Sequence, residues 1–240
     1  ERFNLRITRL HCHIGSGTDP EVYKRVTRMT LDLVAKLPDV GIINLGGGFK
    51  VGRMPGEPST DLADVGAHVR RELEAFRDRD GRALHFEIEP GTYLVASAGS
   101  IVASCVDVVD TGRDGYRFAK LDAGMPEITR PSLYGAQHPI SVLAPGRPEA
   151  DVVFVGPCCE SGDILTPAPG DPEALRPRRV AQPAIGDLVV IGGAGAYCAA
   201  MATLNYNSYP QAPEVMLEPD GSLRLLRRRQ TLEQIWTNEV

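Results

Sequence analysis

The sequence predicts an α/β region followed by a mostly antiparallel β domain. Strand and helix patterns alternate as far as about residue 98, an order typical of parallel strands joined by crossover helices. Beyond that point the helical spacing of apolar residues disappears, and short apolar runs alternate with Pro, Gly and Asp turns. We therefore expect two domains, residues 1–98 and residues 99–240.

The first domain is predicted to hold three strands and two helices. An Asp19-Pro20 start and apolar residues at helical spacing predict the first helix, which Pro38 closes. The second helix is expected to have Ser59 or Thr60 as its N-cap and to stop at Gly81. The predicted elements, in order, are the strand LRITRLHCHI, the helix DPEVYKRVTRMTLDLVAKLP, the strand VGIINLGGG, the helix STDLADVGAHVRRELEAFRDRDG and the strand ALHFEIEPG.

The second domain is predicted to consist of short strands. The PDG turn at 219–221 is typical of a β-hairpin. Lys120 falls in a strand pattern and is interpreted as a solvated or paired lysine. Strands are expected in the segments SIVASCVDVVDTGRDGYRFAKLDAG, ADVVFVG, DLVVIGGAGAY and PEVMLEPDGSLRLLRRR.

Composition excludes several classes of protein. The formal net charge of −5, with both signs scattered, indicates neither a nucleic-acid surface nor a membrane anchor, and no apolar run approaches the length of a bilayer span. Five cysteines without the spacing of a zinc site imply no metal and favour a reducing cytosol, so we expect a cytoplasmic protein. Because the chain opens on Glu1 with a strand pattern close behind it, we interpret it as a fragment.

Polar residues and glycines gather where the predicted strands of the first domain end. His11, His13 and Ser16 lie at the carboxyl end of the first strand, Gly46–Gly48 at that of the second, and Glu89 at that of the third. Consecutive glycine N–H groups suit a phosphate, although a glycine run is also typical of a tight turn. Glu89 suits either a protonated ring nitrogen or the cap of the next turn. His13 suits a base, a ligand, a ring stacked on a cofactor or a structural residue.

The segment GPCCESGD, residues 156–163, places two cysteines in a turn. A disulfide between the adjacent Cys158 and Cys159 would strain its ring, so we expect one buried thiol and one presented thiol. Acidic neighbours raise the pKa of a thiol, which favours a proton donor over a nucleophile. Tyr197, between small residues in GAGAYCAAM, is expected to reach a ligand with its phenol.

Seven segments occur in one order along almost the whole chain: HCHIGSG, NLGGGF, EIEPGTYLVASAG, KLDAGMPEITRPSLYGAQHPI, GPCCESGD, GAGAYC and LNYNSYPQAPEV. In this order they make the chain resemble the pyridoxal-phosphate-dependent basic amino-acid decarboxylases of the alanine-racemase-like fold, and among them the diaminopimelate decarboxylases. The resemblance implies that residues 1–98 are the last part of a (β/α)8 TIM-like barrel and that residues 99–240 are the C-terminal β domain. It also implies a carboxy-lyase that works as a homodimer with its active sites at the interface.

The resemblance implies a role for each residue near the cofactor, pyridoxal 5′-phosphate. A carboxylate beside the pyridine nitrogen keeps that nitrogen protonated, which makes the ring an electron sink. By resemblance, Glu89 would make this contact, His13 would stack on the ring, and the phosphate would be held by Ser16, Gly46, Gly47 and Gly48, with Tyr197 close by.

The resemblance also assigns residues to the substrate. Arg130 and Tyr134 would clasp a carboxylate, and Glu160 would bind the ammonium group at the distal stereocentre. Cys159 would donate the proton that replaces the lost carboxylate, while Ser161 and Asp163 would shape the pocket. The Glu-Ser pair after the cysteine distinguishes this signature from that of ornithine decarboxylases. It favours conversion of meso-2,6-diaminopimelate to L-lysine and carbon dioxide, the last step of lysine biosynthesis.

The chain departs from the family pattern at two points. Thr92 stands where the family usually has an arginine that pairs with the cofactor phosphate. The family's Schiff-base lysine has no counterpart among Lys24, Lys36, Lys50 and Lys120, so the chain alone is expected to be inactive. Two alternatives stay open: a related lysine/ornithine or carboxynorspermidine decarboxylase, and a non-catalytic regulatory paralogue.

Overall fold

The computed structural model describes residues 3–240, and the chain divides into two compact units, Glu1–Val95 and Ala96–Val240. The first unit alternates strands with helices, and its three strands pair in parallel in the order β1-β2-β3. Its elements are β1 (Arg9–His11), α1 (Pro20–Val34), β2 (Ile42–Asn44), α2 (Leu62–Asp80), β3 (His85–Glu87) and α3 (Gly91–Val95). Because neighbouring parallel strands need a crossover, α1 connects β1 to β2 and α2 connects β2 to β3.

The strands of the first unit are shorter than the apolar patterns predict. The pattern predicts a strand from residue 5 to residue 14, but β1 spans only Arg9–His11, because only these residues have register partners on β2. The chain then turns into a loop in which Gly15 takes a positive φ of 88°. The loops after β1, β2 and β3 are consequently longer than predicted and carry His13, Ser16, Gly46–Gly48 and Glu89.

Both long helices begin at an aspartate. The predicted start of α1 is confirmed: the Asp19 side chain accepts the N–H of Glu21 at 2.9 Å, ahead of Pro20. The predicted cap of α2 is wrong, because Asp61 accepts the N–H of Asp64 at 3.0 Å in place of Ser59 or Thr60. Thr60 is instead buried, and its hydroxyl donates to the Gly17 carbonyl at 2.9 Å. The predicted stop of α2 at Gly81 is confirmed by its left-handed φ of 69°.

Arg82 completes the far end of α1. Its guanidinium donates to four backbone carbonyls, one in the last turn of the helix and three in the loop that follows. The guanidinium carbon also lies 5.3 Å from the centre of the Phe76 ring. The carbonyls belong to Val34, Leu37, Pro38 and Val40, at 3.0 to 3.3 Å. Only the Val34 carbonyl belongs to the helix, so this side chain joins the last turn of α1 to the loop that follows it.

The second unit is built mainly of strands. Its largest sheet has the order β10-β7-β5-β4-β11-β6, in which β5 and β7 are parallel and the other neighbours are antiparallel. Its elements are β4 (Ile101–Asp110), β5 (Arg117–Leu121), α4 (Arg130–Tyr134), β6 (Ile140–Val142), β7 (Glu149–Val155), β8 (Pro167–Ala168), β9 (Asp171–Leu175), β10 (Arg178–Ala181), β11 (Leu188–Ile191), β12 (Glu214–Leu217) and β13 (Leu223–Arg227). Single 3₁₀ turns occur at Ala96–Ala98, Ala199–Met201, Tyr206–Ser208 and Glu233–Ile235.

Two details of the second unit bear on the sequence predictions. The hairpin at PDG is confirmed, since β12 pairs antiparallel with β13 and Gly221 takes a φ of 84°. The helical spacing was predicted to disappear beyond about residue 98, and this prediction missed α4. This five-residue helix has Pro131 in its first turn and Gly135 at its end. Its buried proline holds it in place, and five residues are too few to show helical spacing.

Each unit has its own hydrophobic core. In the first unit, the rings of Tyr23 and Phe49 stack at 4.7 Å between α1 and the loop after β2. In the second unit, Leu121 of β5, Phe154 of β7 and Ile191 of β11 are almost fully buried in one cluster. The strands that lead into the loops described below are therefore anchored by their own packing.

Candidate functional site

The carboxyl ends of the three parallel strands bring one group of candidate residues together. Asn44 pairs in register with His11 on one side and with Glu87 on the other. One turn further on, the Gly47 N–H donates to Nδ1 of His13 at 3.2 Å, and the Glu89 N–H donates to the Gly46 carbonyl at 2.9 Å. The loops after β1, β2 and β3 thus meet as a single surface.

His13 is held in one orientation by this loop contact. A backbone N–H can only donate, so Nδ1 of His13 accepts, and the proton of the neutral ring lies on Nε2. The ring itself is exposed, which leaves a face open to a planar ligand. His13 lies two residues beyond the end of β1, so it does not share a strand face with His11.

Asn44 orients the carboxylate of Glu89, a role that the sequence did not reveal. Its amide nitrogen donates to Glu89 at 3.0 Å and to Glu87 at 3.2 Å, and its amide oxygen accepts the Gly46 N–H at 2.7 Å. Nε2 of His11 lies 3.4 Å from the same Glu89 carboxylate. Asn44 is buried, whereas the Glu89 side chain is about half exposed, so a fixed donor aims a carboxylate outward.

The glycine run Gly46–Gly48 is required by close approach of the backbone. A Cβ on Gly48 would lie 1.7 Å from the Gly15 carbonyl oxygen, and one on Gly47 would lie 2.3 Å from the Glu89 carbonyl oxygen. Gly48 also takes a φ of 89°, which few other residues adopt. Ser16 lies against Gly48, since that same Cβ would be 3.2 Å from its Cα. The run, which we call the glycine cradle, is therefore packed directly against the backbone of the neighbouring loops and has no room for a side chain.

A small cavity opens beside this cradle. It has a volume of about 100 Å³ and is lined by Ile14, Gly15, Ser16, Gly17, Asp19, Val22 and Tyr23. The Ser16 hydroxyl offers a donor to a small polar group there, whereas the Asp19 carboxylate in the same lining would repel an anion. The N–H groups of Gly46 and Gly47 already donate to Asn44 and His13, so an anion there would have to compete for them.

A second group of candidate residues lies on the loop from Gly156 to Asp163, which we call the cysteine loop. The Gly156 N–H donates to the Asp163 carbonyl at 2.9 Å, and the Asp163 carboxylate accepts the N–H groups of Cys158 at 2.9 Å and Met125 at 2.8 Å. Only 3% of Asp163 is exposed. Its carboxylate closes the loop and ties it to the segment that precedes Arg130.

The two cysteines of the loop have different surroundings. Cys158 is partly buried, and burial together with the nearby Asp163 raises the pKa of its thiol to about 12. Cys159 is exposed, and its N–H donates to the side-chain oxygen of Asn207 at 2.8 Å. The Cys159 residue of the loop is therefore exposed, whereas Cys158 is partly buried.

Glu160 follows Cys159 with its carboxylate already hydrogen-bonded. It accepts the Gly162 N–H at 3.0 Å, the Tyr206 hydroxyl at 3.1 Å and the Ser161 hydroxyl at 3.3 Å. These donors, the Gly162 N–H first, hold the pKa of Glu160 below its usual value. The side chain is exposed and anionic at neutral pH, so it can receive a cation.

Arg130, in the first turn of α4, is paired with a buried histidine. Nη1 of Arg130 lies 3.4 Å from Nε2 of His138, and Nδ1 of His138 lies 3.0 Å from the Gly192 carbonyl oxygen. A carbonyl only accepts, so Nδ1 of His138 carries the proton and Nε2 accepts from Arg130. Tyr134 is exposed at the other end of α4.

The remaining candidates are less constrained. Tyr197 is 57% exposed and takes a left-handed φ of 57°. Lys120 lies on β5 and is exposed, as expected of a solvated lysine. No cluster of three or more His, Cys, Asp or Glu side chains in residues 3–240 could hold a metal ion. None of the helices described is long and apolar enough to cross a membrane.

Sequence reasoning missed four residues that shape these surroundings: Asn44, His138, Tyr206 and Asn207. Asn44 carried a usable signal, because a polar residue at the last position of a buried strand needs a partner. The other three are distant in sequence from the residues they contact or carry no local pattern. Only the folded chain brings them together.

Comparison with known proteins places the chain in a family. Residues 23–195 match the model of the pyridoxal-dependent decarboxylase C-terminal sheet domain. The diaminopimelate decarboxylases of Streptomyces coelicolor and Escherichia coli K12 are 37% and 35% identical to the whole chain, which covers 54% and 57% of their lengths. A crystal structure of a diaminopimelate decarboxylase superimposes with a TM-score of 0.90 at 33% identity, covering 99% of this chain and 57% of that one.

The chain thus spans about half the length of the relatives it matches. The match covers most of the chain, from α1 to the loop after β11, and so includes both the glycine cradle and the cysteine loop. This chain belongs to the family of pyridoxal-dependent decarboxylases.

Proposed function

We propose that the full-length protein converts meso-2,6-diaminopimelate to L-lysine and carbon dioxide with pyridoxal 5′-phosphate as its cofactor. The observation that carries this proposal is the cysteine loop, which presents a thiol at Cys159 and an oriented carboxylate at Glu160 on neighbouring residues. A proton donor beside an anionic site suits a substrate with a second, cationic end.

The residues of the first unit fit the cofactor. Pyridoxal phosphate, when bound, supplies the electron sink that decarboxylation needs. Glu89, aimed by Asn44, would hydrogen-bond the pyridine nitrogen, and His13 would stack its exposed ring on the cofactor. Gly46–Gly48 and Ser16 would hold the phosphate, with Tyr197 close by. Thr92 offers a hydroxyl where the family usually offers a guanidinium, so the glycine cradle would take a larger share of this contact.

The residues of the second unit suit the substrate. Arg130 would bind a carboxylate with its fork of N–H donors, kept in place by His138, and Tyr134 would add a hydroxyl. Glu160 would bind the distal ammonium, and Ser161 would shape the pocket around it. Sγ of Cys159 would deliver a proton to the carbon that loses its carboxylate.

We further propose the setting of this chemistry. The first unit would be the last part of a (β/α)8 barrel and the second the C-terminal β domain, in a homodimer whose active sites lie at the interface. The parallel order β1-β2-β3 with crossover helices supports the barrel. The free thiols of Cys12, Cys105, Cys158 and Cys159 support a reducing compartment such as the cytoplasm.

Substrate choice tests the proposal directly. Purified full-length protein loaded with pyridoxal phosphate should decarboxylate meso-diaminopimelate with a higher kcat/KM than L-lysine or L-ornithine. A preference for either monocarboxylate would indicate a lysine/ornithine-type enzyme, and no turnover of any of the three would favour a non-catalytic paralogue.

Substitution of Cys159 tests the assignment of the proton donor. Cys159→Ala should lower kcat roughly 100-fold or more, the range for loss of a general acid, while the absorbance of the bound cofactor is retained. Cys158→Ala is the matched control, because its partly buried thiol faces Asp163, and this variant should keep most of its turnover. Equal losses in the two variants would mean that Cys159 has only a structural role.

A further inference from the structure

Three residues of one short segment form hydrogen bonds with the cysteine loop, at or close to its exposed residues Cys159 and Glu160. Tyr206 donates its hydroxyl to the Glu160 carboxylate at 3.1 Å, and Asn207 accepts the Cys159 N–H at 2.8 Å. Tyr209 donates its hydroxyl to the Pro157 carbonyl at 3.0 Å. The segment Asn205–Tyr209, here called the tyrosine brace, therefore reaches both residues that the proposed reaction uses.

The backbone of the brace is held in an uncommon conformation. Asn205, Asn207 and Ser208 have positive φ values of 59°, 50° and 62°, in the left-handed region that non-glycine residues seldom adopt. Such conformations persist only where surrounding contacts over-determine them, and they cluster at functional sites. Here Asn205 donates to the Tyr209 carbonyl at 3.1 Å and to the Gln230 side chain at 2.6 Å. The brace is thus anchored independently of the loop that it contacts.

The two oxygens of Glu160 are held by different parts of the chain. Oε1 accepts from Gly162 and Ser161, which belong to the cysteine loop itself, whereas Oε2 accepts from Tyr206. A carboxylate oxygen has two lone pairs, so both lone pairs of Oε1 are occupied, whereas Oε2 keeps one that can accept from an ammonium group. Without the Tyr206 hydroxyl, the described residues fix only Oε1 by hydrogen bonds. The direction of the carboxylate then depends on the loop alone.

We propose that Tyr206 is a positioning residue that orients Glu160 toward the distal ammonium of the substrate and so sets the preference for a diamino substrate. The inference rests on the proposed function, since it deepens the role of Glu160 in that site. Tyr206 acts through Glu160, and Asn207 and Tyr209 hold the loop in register while it does so. The lowered pKa of Glu160 and the raised pKa of Tyr206 agree with a neutral phenol donating to an ionised carboxylate.

The test compares two substrates on the full-length, cofactor-loaded enzyme. meso-Diaminopimelate carries the distal ammonium, and 2-aminopimelate has the same carbon chain and both carboxylates but lacks it. Tyr206→Phe removes only the hydroxyl and should lower the ratio of kcat/KM for the diamine to that for the monoamine roughly 10-fold, the effect of one hydrogen bond to a charged group. The loss should appear in KM for the diamine, with kcat nearly unchanged.

Two further variants separate positioning from general support. Tyr116→Phe removes a hydroxyl from another exposed tyrosine, just before β5 and outside the cysteine loop and the brace, so it should leave the substrate ratio unchanged. In a Glu160→Gln background, Tyr206→Phe should have no further effect on the ratio, because the partner charge is gone. An unchanged ratio in Tyr206→Phe, or an equal loss for both substrates, would overturn the inference.

The outcomes also separate this inference from the proposed function. If the wild-type enzyme does not turn over meso-diaminopimelate, the proposed function fails and Tyr206 loses this role with it. If the wild type prefers the diamine and Tyr206→Phe keeps that preference, only the role of Tyr206 fails. Bound-cofactor absorbance and circular dichroism of Tyr206→Phe should match the wild type, because Tyr206 is on the surface and keeps its ring.

Discussion

The side-chain amide of Asn44 donates a hydrogen bond to the Glu89 carboxylate at 3.0 Å. The same nitrogen lies 3.2 Å from Glu87, so one neutral donor bridges two carboxylates, one at the end of β3 and one in the loop that follows it. In the proposed cofactor site the Glu89 carboxylate would need a fixed direction toward the ring nitrogen, and the buried Asn44 provides one. We therefore expect cofactor binding to depend on Asn44.

Asn44→Asp should weaken cofactor binding. The change replaces a donor by a third acidic group within reach of Glu87 and Glu89, and like charges repel strongly where water is partly excluded. The expected result is a lower fraction of bound pyridoxal phosphate in the full-length protein, measured by visible absorbance after gel filtration. Asn4→Asp, which adds the same charge at an exposed site, should keep wild-type occupancy. Full occupancy in Asn44→Asp would show that Glu89 does not depend on this amide.

Gly48→Ala should disrupt the glycine cradle. The added Cβ would lie 1.7 Å from the Gly15 carbonyl oxygen, and the left-handed φ of 89° alone costs an alanine roughly 1–2 kcal/mol. We expect a lower thermal midpoint and loss of bound cofactor. Gly66→Ala is the matched control: it lies inside α2 with open space beside it, and alanine there should stabilise the protein by about 1 kcal/mol. Similar effects of the two changes would contradict the steric argument.

The stability of the protein should fall as Glu127 ionises. Burial raises the pKa of this carboxyl from 4.5 to about 7, even though it accepts the Gly124 N–H at 3.0 Å. Between these two pH values the folded protein holds a proton that the unfolded chain has released, so stability decreases as the pH rises and levels off above about pH 7. The contribution of Glu127 to folding is therefore most favourable on the acid side.

Glu127→Gln should remove this slope. We expect the variant to melt above the wild type at about pH 8 and close to it at about pH 5, since the amide never ionises. The difference in thermal midpoint between variant and wild type cancels the titration of all other groups. Glu74→Gln, on the exposed face of α2, should follow the wild type at both pH values. A constant offset for Glu127→Gln across this range would contradict the raised pKa.

Arg82→Ala should destabilise the first unit. Its guanidinium donates to the Val34 carbonyl at the end of α1 and to three carbonyls of the following loop, and hydrogen bonds from a charged group contribute roughly 1.5–3 kcal/mol. Arg79→Ala is the matched control, because Arg79 also lies over the Phe76 ring, at 5.5 Å, and its paired carboxylate is that of the neighbouring Asp80. We expect Arg79→Ala to stay within about 0.5 kcal/mol of the wild type. Equal losses would assign the effect to the ring contact and not to the helix end.

Local signals in the sequence predicted the long elements well. Asp19-Pro20 and Gly81 mark helix ends through their own backbone and side-chain preferences, which need no distant partner. The cap of α2 was misassigned because Ser59, Thr60 and Asp61 are all suitable, and distant contacts decide among them. Thr60 is drawn to the Gly17 carbonyl, which leaves Asp61 as the cap. Choices of this kind depend on tertiary structure.

The candidate site, like the fold, was predictable from the sequence only in part. His13, Gly46 and Glu89 were expected to meet because the carboxyl ends of parallel strands share an edge, and their backbones do so. Tyr206 and Asn207 were not predictable, since each contacts the cysteine loop across more than 40 residues of chain. A loop-to-loop contact has no periodicity, so it leaves no pattern in the sequence.

The cysteine loop is closed at its base, so the sequence of its tip can vary without disturbing the sheet below it. Its two ends meet through the Gly156 N–H and the Asp163 carbonyl, while the Asp163 carboxylate holds the turn from beneath. Residues 159–162, at the tip, contribute little to the packing of the sheet, because three of the four are exposed or polar and none belongs to its core. Substitutions at these four positions can therefore change the side chains that the loop exposes and still preserve the packing that stabilises the domain.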